Sequence, residues 1–101
     1  MADLIIMYWR DIPAQVIAKA GRRNQSKVEL GPRFSAAIDA AAMGDGFTDT
    51  DQYLAEWHRG DPTPCGDDLA SEAKTVADRL EAEYDEDHLR ALVRNKGREA
   101  T

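Results

Sequence analysis

Hydrophobic and polar positions in the first 30 residues follow the period of β-strands. Residues 4–9 (Leu-Ile-Ile-Met-Tyr-Trp) form a continuous apolar run of strand length, which predicts a strand covered on both faces. Residues 27–30 (Lys-Val-Glu-Leu) alternate polar and apolar, which predicts a half-buried strand. The chain therefore opens with a β-rich segment.

Residues 15–20 fit two kinds of element. Their side chains alternate between polar and apolar, which is typical of a strand. Asp11 as a cap, Pro13 in the first turn and Gly21 as a stop equally permit a short helix. We favour the strand, because residues 21–25 then form a hairpin loop that leads into the next strand.

The pattern changes to a helical period after Gly31. Pro32 stands where a helix tolerates proline best, in the first turn, because the missing N–H has no partner there. Gly44 and Gly46 end the helix, since glycine accepts the left-handed turn at a C-terminus. Between these ends the helix has one apolar face, formed by Phe34, Ala37, Ile38, Ala41 and Ala42.

A second helix is predicted before Gly60. Thr48 is its candidate cap, Asp51 stands three residues later, and Asp49 suits the positive end of the helix dipole. Its apolar face carries Tyr53, Leu54 and Trp57.

Residues 61–67 interrupt the helices, because two prolines, a glycine and two acids cannot continue either of them. A third helix follows, with Asp67 or Asp68 as cap, and Asp85 caps a last short helix. The apolar stripes of these two helices are Leu69, Ala73, Val76, Leu80 and Tyr84, then Leu89, Leu92 and Val93.

These patterns predict one α+β domain. A small N-terminal antiparallel β-sheet of two or three strands packs with three or four helices. The expected order is a β-rich segment at 1–31, a helical hairpin at 32–60, a linker at 61–67, C-terminal helices at 68–95 and a frayed tail at 96–101.

Composition narrows the classes of function. The chain has 101 residues, 43% hydrophobic, and a net charge of −6. Residues 1–31 hold five basic and three acidic groups, whereas residues 32–101 hold eight basic and sixteen acidic groups, so most of the surface repels polyanions. There is no apolar run of membrane-spanning length and no signal peptide pattern. Cys65 is the single cysteine, which fits a reducing compartment, and we expect a cytoplasmic protein.

Most of the chain resembles a known family. The resemblance is carried by residues 8–17 (Tyr-Trp-Arg-Asp-Ile-Pro-Ala-Gln-Val-Ile), 21–23 (Gly-Arg-Arg), 27–30 (Lys-Val-Glu-Leu), and Phe34 with residues 37–43 (Ala-Ile-Asp-Ala-Ala-Ala-Met). These segments resemble the small bacterial family labelled virulence factor, which is similar to a domain named from a staphylococcal conserved virulence factor. The resemblance implies no particular activity. Some relatives stand beside genes for one-carbon and corrinoid methyl transfer, which implies an accessory role there as one hypothesis.

Residues 26–57 carry a second, local resemblance. Their strand, proline, helix, glycine turn and capped helix resemble ribbon-helix-helix repressors, in which the strand pairs with its twin in a homodimer and reads the major groove. The groove-facing side chains would be Gln25, Lys27 and Glu29. Glu29 departs from the pattern, because phosphates repel a carboxylate.

The candidate functional patch combines an aromatic side chain with arginines. A Trp plane beside guanidinium donors can hold a phosphate, a carboxylate or an acidic peptide. The alternative is structural: Trp9 in the core, Arg10 paired with Asp11, and a solvated basic loop. The predicted anion or partner patch is Tyr8, Trp9, Arg10, Asp11, Arg22, Arg23 and Lys27.

Catalytic and metal signatures are weak. His58, Cys65 and His88 are isolated from one another, whereas structural zinc sites use ligands two to four residues apart, so we predict neither a metal nor a cofactor. There is no nucleophile elbow and no glycine-rich phosphate loop. We therefore expect no enzymatic activity.

The sequence leaves three functional hypotheses. The first is a non-enzymatic accessory or adaptor protein that docks on a protein partner, with Tyr53, Trp57 and Tyr84 as either exposed anchors or core residues. The second is a DNA-binding homodimer of ribbon-helix-helix type. The third is the accessory role in corrinoid methyl transfer.

Overall fold

A computed structural model describes residues 2–44, 46 and 50–99. In chain order the elements are β1 (Ala2–Trp9), β2 (Ile12–Ala20), β3 (Asn24–Glu29), α1 (Pro32–Gly44), α2 (Thr50–Ala55), β4 (Trp57–Arg59), β5 (Thr63–Cys65), α3 (Leu69–Glu83) and α4 (Glu86–Arg94). The α+β class is confirmed. The predicted count of two or three strands is too low, because the sheet has five strands.

The first three strands form an antiparallel meander. β1 pairs with β2 from Ala2↔Ala20 to Trp9↔Ile12, and β2 pairs with β3 from Gln15↔Glu29 to Ala20↔Asn24. Residues 15–20 are therefore a strand rather than a helix. Gly21 makes the turn into β3 with a φ of +72°, a conformation that costs glycine little.

The other edge of β1 is covered by β4 and β5. β4 pairs with Met7–Trp9 and β5 with residues 2–4, and the register shifts by one residue between them. Gly60 bridges the gap by donating its N–H to the carbonyl of Ile6 at 2.8 Å. Residues 61–67 are thus not only a linker, and the helix expected to reach Gly60 ends at Ala55. Residues 57–59 form backbone hydrogen bonds with the edge of β1, and these stabilise a strand in place of the predicted last turn of the helix.

The core lies between the sheet and its helices. α3 packs on β2 and β3, while α1 packs against α4. The predicted stripe of α1 is buried along its whole length, which confirms the helix and its orientation. The buried cluster contains Leu4, Trp9, Ile12, Val16, Ala18, Leu30, Phe34, Ala37, Ile38, Ala41, Ala42, Ala73, Ala77, Leu80, Leu89 and Leu92.

Two of the predicted helix caps are confirmed. The side chain of Asp68 accepts a hydrogen bond from the N–H of Ser71, and that of Asp85 accepts one from the N–H of His88. The predicted cap at Thr48 and the placement of Asp49 lie outside the described residues.

The segment after α4 was expected to fray, but residues 96–99 are bound to the β1–β2 turn. Gly97 donates its N–H to the Leu92 carbonyl at 2.7 Å and accepts from the Asp11 N–H at 2.8 Å. Glu99 donates its N–H to Asp11 Oδ2 at 2.7 Å. These bonds compensate the entropy cost of ordering the segment, and the polar sequence alone gave no sign of them.

The ribbon-helix-helix resemblance is not supported. β3 pairs along its length with β2 of the same chain, and α2 is only six residues long and leads into a strand. Within the described residues, no helix is both long and apolar enough to cross a membrane.

Candidate functional site

Trp9 of the predicted patch is a core residue. Its side chain is fully buried, and its indole N–H donates to the Tyr53 carbonyl at 2.9 Å. The Tyr53 ring stacks on it, with centroids 5.8 Å apart. Trp9 therefore anchors α2 to the end of β1 and is not accessible to a ligand.

Arg10 also points inward. It adopts a positive φ of 52° in the β1–β2 turn and is 7% exposed. Its guanidinium donates to the Lys96 carbonyl at 2.6 Å, pairs with Glu56 at 3.4 Å, and lies 5.0 Å from the centre of the Trp9 ring. These contacts hold the turn, α2 and the segment after α4 together. The expected pairing of Arg10 with Asp11 is replaced by the pair with Glu56.

The structure divides the predicted patch into two groups. Tyr8, Trp9, Arg10 and Asp11 meet at the β1–β2 turn. The exposed Arg22 and Arg23 lie in the β2–β3 turn at the opposite end of β2, and the exposed Lys27 lies on β3 opposite Ile17. Because β2 has nine residues, about 27 Å separates the two turns.

A small cleft opens beside the β1–β2 turn. We call it the turn cleft; its volume is about 270 Å³, and it is lined by Tyr8, Arg10, Asp11, His58, Tyr84 and Glu99. Strand register positions two of these side chains, since Tyr8 pairs with His58 and their rings stack at 5.5 Å. Tyr84, at the end of α3, stacks on His88 at 4.6 Å. The cleft is thus bordered by two tyrosine–histidine stacks.

Both tyrosines stay protonated at neutral pH. Burial raises the pKa of Tyr84 to about 12, with smaller contributions from Tyr8 and Glu99. Burial also raises the pKa of Tyr8, against the opposing effect of Arg79. Among the described residues neither hydroxyl forms a hydrogen bond, so both remain able to donate to or accept from a ligand.

The neighbours of His88 favour its charged form. Burial lowers the pKa of His88, but hydrogen bonds to Glu99 and to the Glu83 carbonyl, together with the charges of Glu99 and Asp85, outweigh burial and raise it. Nε2 lies 2.8 Å from Glu99 Oε1, and Nδ1 lies 3.3 Å from the Glu83 oxygen. Both nitrogens face acceptors, an arrangement that only the imidazolium satisfies fully.

A larger groove lies elsewhere on the molecule. We call it the α1 groove; its volume is about 730 Å³, and it is lined by Ala14, Gln15, Glu29, Leu30, Gly31, Pro32, Ser35, Ile38, Asp39, Tyr53 and Trp57. Tyr53 and Trp57 form an edge-to-face pair with centroids 6.1 Å apart. Glu29 and Asp39 are the charged residues of this lining, and both are exposed. Half-buried aromatic rings beside exposed carboxylates suit contact with another polypeptide.

The residues weighed as metal ligands have other contacts. His58 Nε2 lies 2.7 Å from the Arg10 carbonyl oxygen, and His88 is bonded to Glu99. Cys65 is a free thiol on β5, and burial and then the Glu72 carboxylate raise its pKa, which disfavours the nucleophilic thiolate. In the described part of the chain, no three His, Cys, Asp or Glu side chains are arranged to hold a metal ion.

Sequence reasoning found half of the residues that line the turn cleft. It singled out Tyr8, Arg10 and Asp11, but His58 was weighed only as a metal ligand, Tyr84 only as an anchor or core residue, and Glu99 was placed in a frayed tail. The missing signal is the β1–β4 register, which brings His58 beside Tyr8 across 50 residues.

A family model matches most of the chain. Residues 7–93 match the model of the family described as Virulence factor. No curated protein and no solved structure matches the chain.

Proposed function

The chain belongs to the virulence factor family, and from that premise we propose that it is a non-enzymatic adaptor that binds a segment of a protein partner in the α1 groove. The observation that carries this proposal is the groove itself, with its aromatic pair, its apolar floor and its volume of about 730 Å³. Recognition of an extended or helical segment needs such an apolar channel with a polar rim.

The charges of the groove define the partner segment. Glu29 and Asp39 are carboxylates, and no basic residue belongs to the described lining. The net charge of −6 adds a long-range attraction for cationic partners. The occupant is therefore a segment that alternates apolar with basic side chains, placing the apolar groups against Trp57 and Tyr53.

In this proposed role the α1 groove binds a partner and catalyses no reaction. Its titratable carboxylates are exposed and stand on different elements, Glu29 at the end of β3 and Asp39 on α1. Exposed side chains of this kind give specificity and association rate rather than catalysis. The adaptor is further proposed to act in the cytoplasm, where Cys65 would remain a thiol.

Trp57 provides the readout for a test. Trp9, the other tryptophan, is fully buried in the core, so a fluorescence change on binding reports Trp57. A peptide of about ten residues that alternates leucine with lysine should shift and quench this emission, whereas the same peptide with glutamate should not. The variant Trp57→Phe should lose the signal but keep binding measured by polarisation of a labelled peptide.

Charge reversal supplies the matched comparison. Glu29→Lys and Asp39→Lys should each weaken binding of the lysine peptide by about tenfold or more, because a repulsive pair replaces an attractive one. Asp67→Lys, which reverses another exposed acid outside the groove, should leave binding of the lysine peptide nearly unchanged. Equal binding of both peptides, or equal effects of all three reversals, contradicts the proposal. If the protein bound duplex DNA in a salt-sensitive way and did not bind the peptides, the result would favour the DNA-binding hypothesis.

A further inference from the structure

The turn cleft carries an arrangement of groups that the proposed docking function does not use. We propose that it binds a primary alkylammonium group, supplied either by a free amine or by a lysine side chain of another polypeptide. The site is separate from the α1 groove, since no residue lines both.

The charges around the cleft compensate one another in pairs. Arg10 pairs with Glu56, Arg79 with Glu83 at 3.7 Å, and His88 with Glu99 at 2.8 Å. Asp11 differs: its Oδ2 accepts the Glu99 N–H at 2.7 Å, and it has no ion pair with a described cation. Among the described residues around the cleft, the charge without an ion-pair partner is therefore a carboxylate, which selects a cationic ligand.

The hydrogen-bonding groups select an ammonium among cations. Its three N–H donors have three acceptors within the cleft, namely the carboxylate of Asp11 and the hydroxyls of Tyr8 and Tyr84. Both hydroxyls lie within electrostatic reach of Asp11, and neither is committed to another described residue.

The shape of the cleft accounts for the alkyl part. Tyr8 and Tyr84 present aromatic rings to it, and such rings attract both an alkyl chain and the ammonium. A volume of about 270 Å³ is large enough for a four-carbon chain with its head group. A lysine side chain and a linear amine both have such a chain.

The test uses two probes that differ only in the charged group. Nα-acetyl-lysine N-methylamide and the corresponding norleucine compound have the same chain, but only the former has an ammonium. Titration followed by amide chemical shifts should show the lysine compound binding with a dissociation constant of about 1 mM or lower, with shifts centred on residues 8–11, 58 and 84. A second titration uses cadaverine, a free diamine. Tighter binding of cadaverine would identify a free amine as the ligand, and tighter binding of the lysine compound would identify a lysine side chain of another polypeptide.

Variants locate the binding. Asp11→Asn should weaken binding of the better amine by about tenfold or more, because the charge is lost while the side-chain oxygen that accepts the Glu99 N–H remains. Tyr8→Phe keeps the stack on His58 and should weaken binding by a smaller factor of about three to ten. Asp67→Asn, an exposed carboxylate outside the cleft, should have no effect, and thermal unfolding should show that all three variants are folded.

Three outcomes would overturn the inference: equal binding of the lysine and norleucine compounds, no shift with either amine, or equal effects of Asp11→Asn and Asp67→Asn. None of them bears on the α1 groove, whose residues are not changed in these variants.

Discussion

Arg10 donates a hydrogen bond of 2.6 Å to the carbonyl oxygen of Lys96, 86 residues further along the chain. The arginine belongs to the first turn of the sheet and the lysine to the segment that follows the last helix. A side chain that sequence reasoning assigned to an anion patch is thus a structural tie between distant parts of the chain.

Replacing Arg10 with lysine should destabilise the protein. A lysine keeps the charge but cannot reach the Lys96 carbonyl and Glu56 at once, because it lacks the planar fork of donors. We expect a loss of about 2 kcal/mol in the free energy of unfolding, measured by urea denaturation. Arg90→Lys, in an exposed arginine on α4, is the control and should change it by less than about 0.5 kcal/mol. Equal losses of stability in Arg10→Lys and Arg90→Lys would show that the contacts of Arg10 do not stabilise the fold.

Gly97 should tolerate alanine less well than Gly21. Both have a positive φ, but a Cβ at Gly97 would lie 2.8 Å from the Trp9 ring, whereas a Cβ at Gly21 meets nothing within 4 Å. We expect Gly21→Ala to cost about 1–2 kcal/mol from the backbone alone, and Gly97→Ala to cost about 1–3 kcal/mol more from the clash. Thermal unfolding of the two variants measures the difference, and equal melting temperatures would contradict it.

The His88–Glu99 pair should make stability depend on pH. Because the pKa of His88 is raised above its unfolded value of 6.5, its contribution is complete below that pH and is lost as pH rises through the folded pKa. The variant Glu99→Gln should be less stable than the wild type below pH 6.5, with the difference narrowing as the pH rises above that value. Its size should stay below about 1 kcal/mol, since the Glu99 side chain is 48% exposed.

An NMR titration of the His88 ring gives a direct check on this pair. The imidazole should titrate at a lower pH in Glu99→Gln than in the wild type. The same titration midpoint in both proteins would mean that Glu99 does not hold the proton.

Glu81 should prove important for the junction of α1 and α3. Its carboxylate accepts the Gly31 N–H at 2.9 Å and pairs with Arg33 at 3.1 Å, so one side chain fixes the start of α1. We expect Glu81→Ala to lower the free energy of unfolding by about 1–2 kcal/mol, because the Gly31 N–H loses its acceptor, whereas Arg33 keeps its bonds to the backbone carbonyls of Glu81 and Tyr84. Glu83→Ala removes an exposed acid from the same helix and should cost less than about 0.5 kcal/mol. Urea denaturation of Glu81→Ala and Glu83→Ala measures the two free energies of unfolding, and equal values would contradict the role of Glu81.

The elements that the sequence predicted are those whose signal is local. The stripe of α1, the cap at Asp85 and the apolar run of β1 each depend on residues a few positions apart, and all three are present in the structure. Periodicity and capping are properties of one segment, so a single sequence contains enough information for them.

The elements that were missed depend on distant partners. β4 and β5 have three residues each, too few for an alternating pattern, and exist because β1 offers them an edge. The turn cleft forms only when β4 sets His58 beside Tyr8 and α3 ends at Tyr84. The burial of Arg10 could not be predicted from the sequence either, because its acceptor on Lys96 is a backbone oxygen that no side-chain pattern reveals.

The bond between Arg10 and Lys96 also bears on folding during synthesis. The ribosome makes the two partners 86 residues apart, so the β1–β2 hairpin can form early while its turn still lacks the acceptor for its arginine. Until the segment after α4 is made, the hairpin lacks the Lys96 acceptor of Arg10 and the Gly97 backbone that lies close to the Trp9 ring. The native form of this turn is therefore complete only when the segment after α4 is in place.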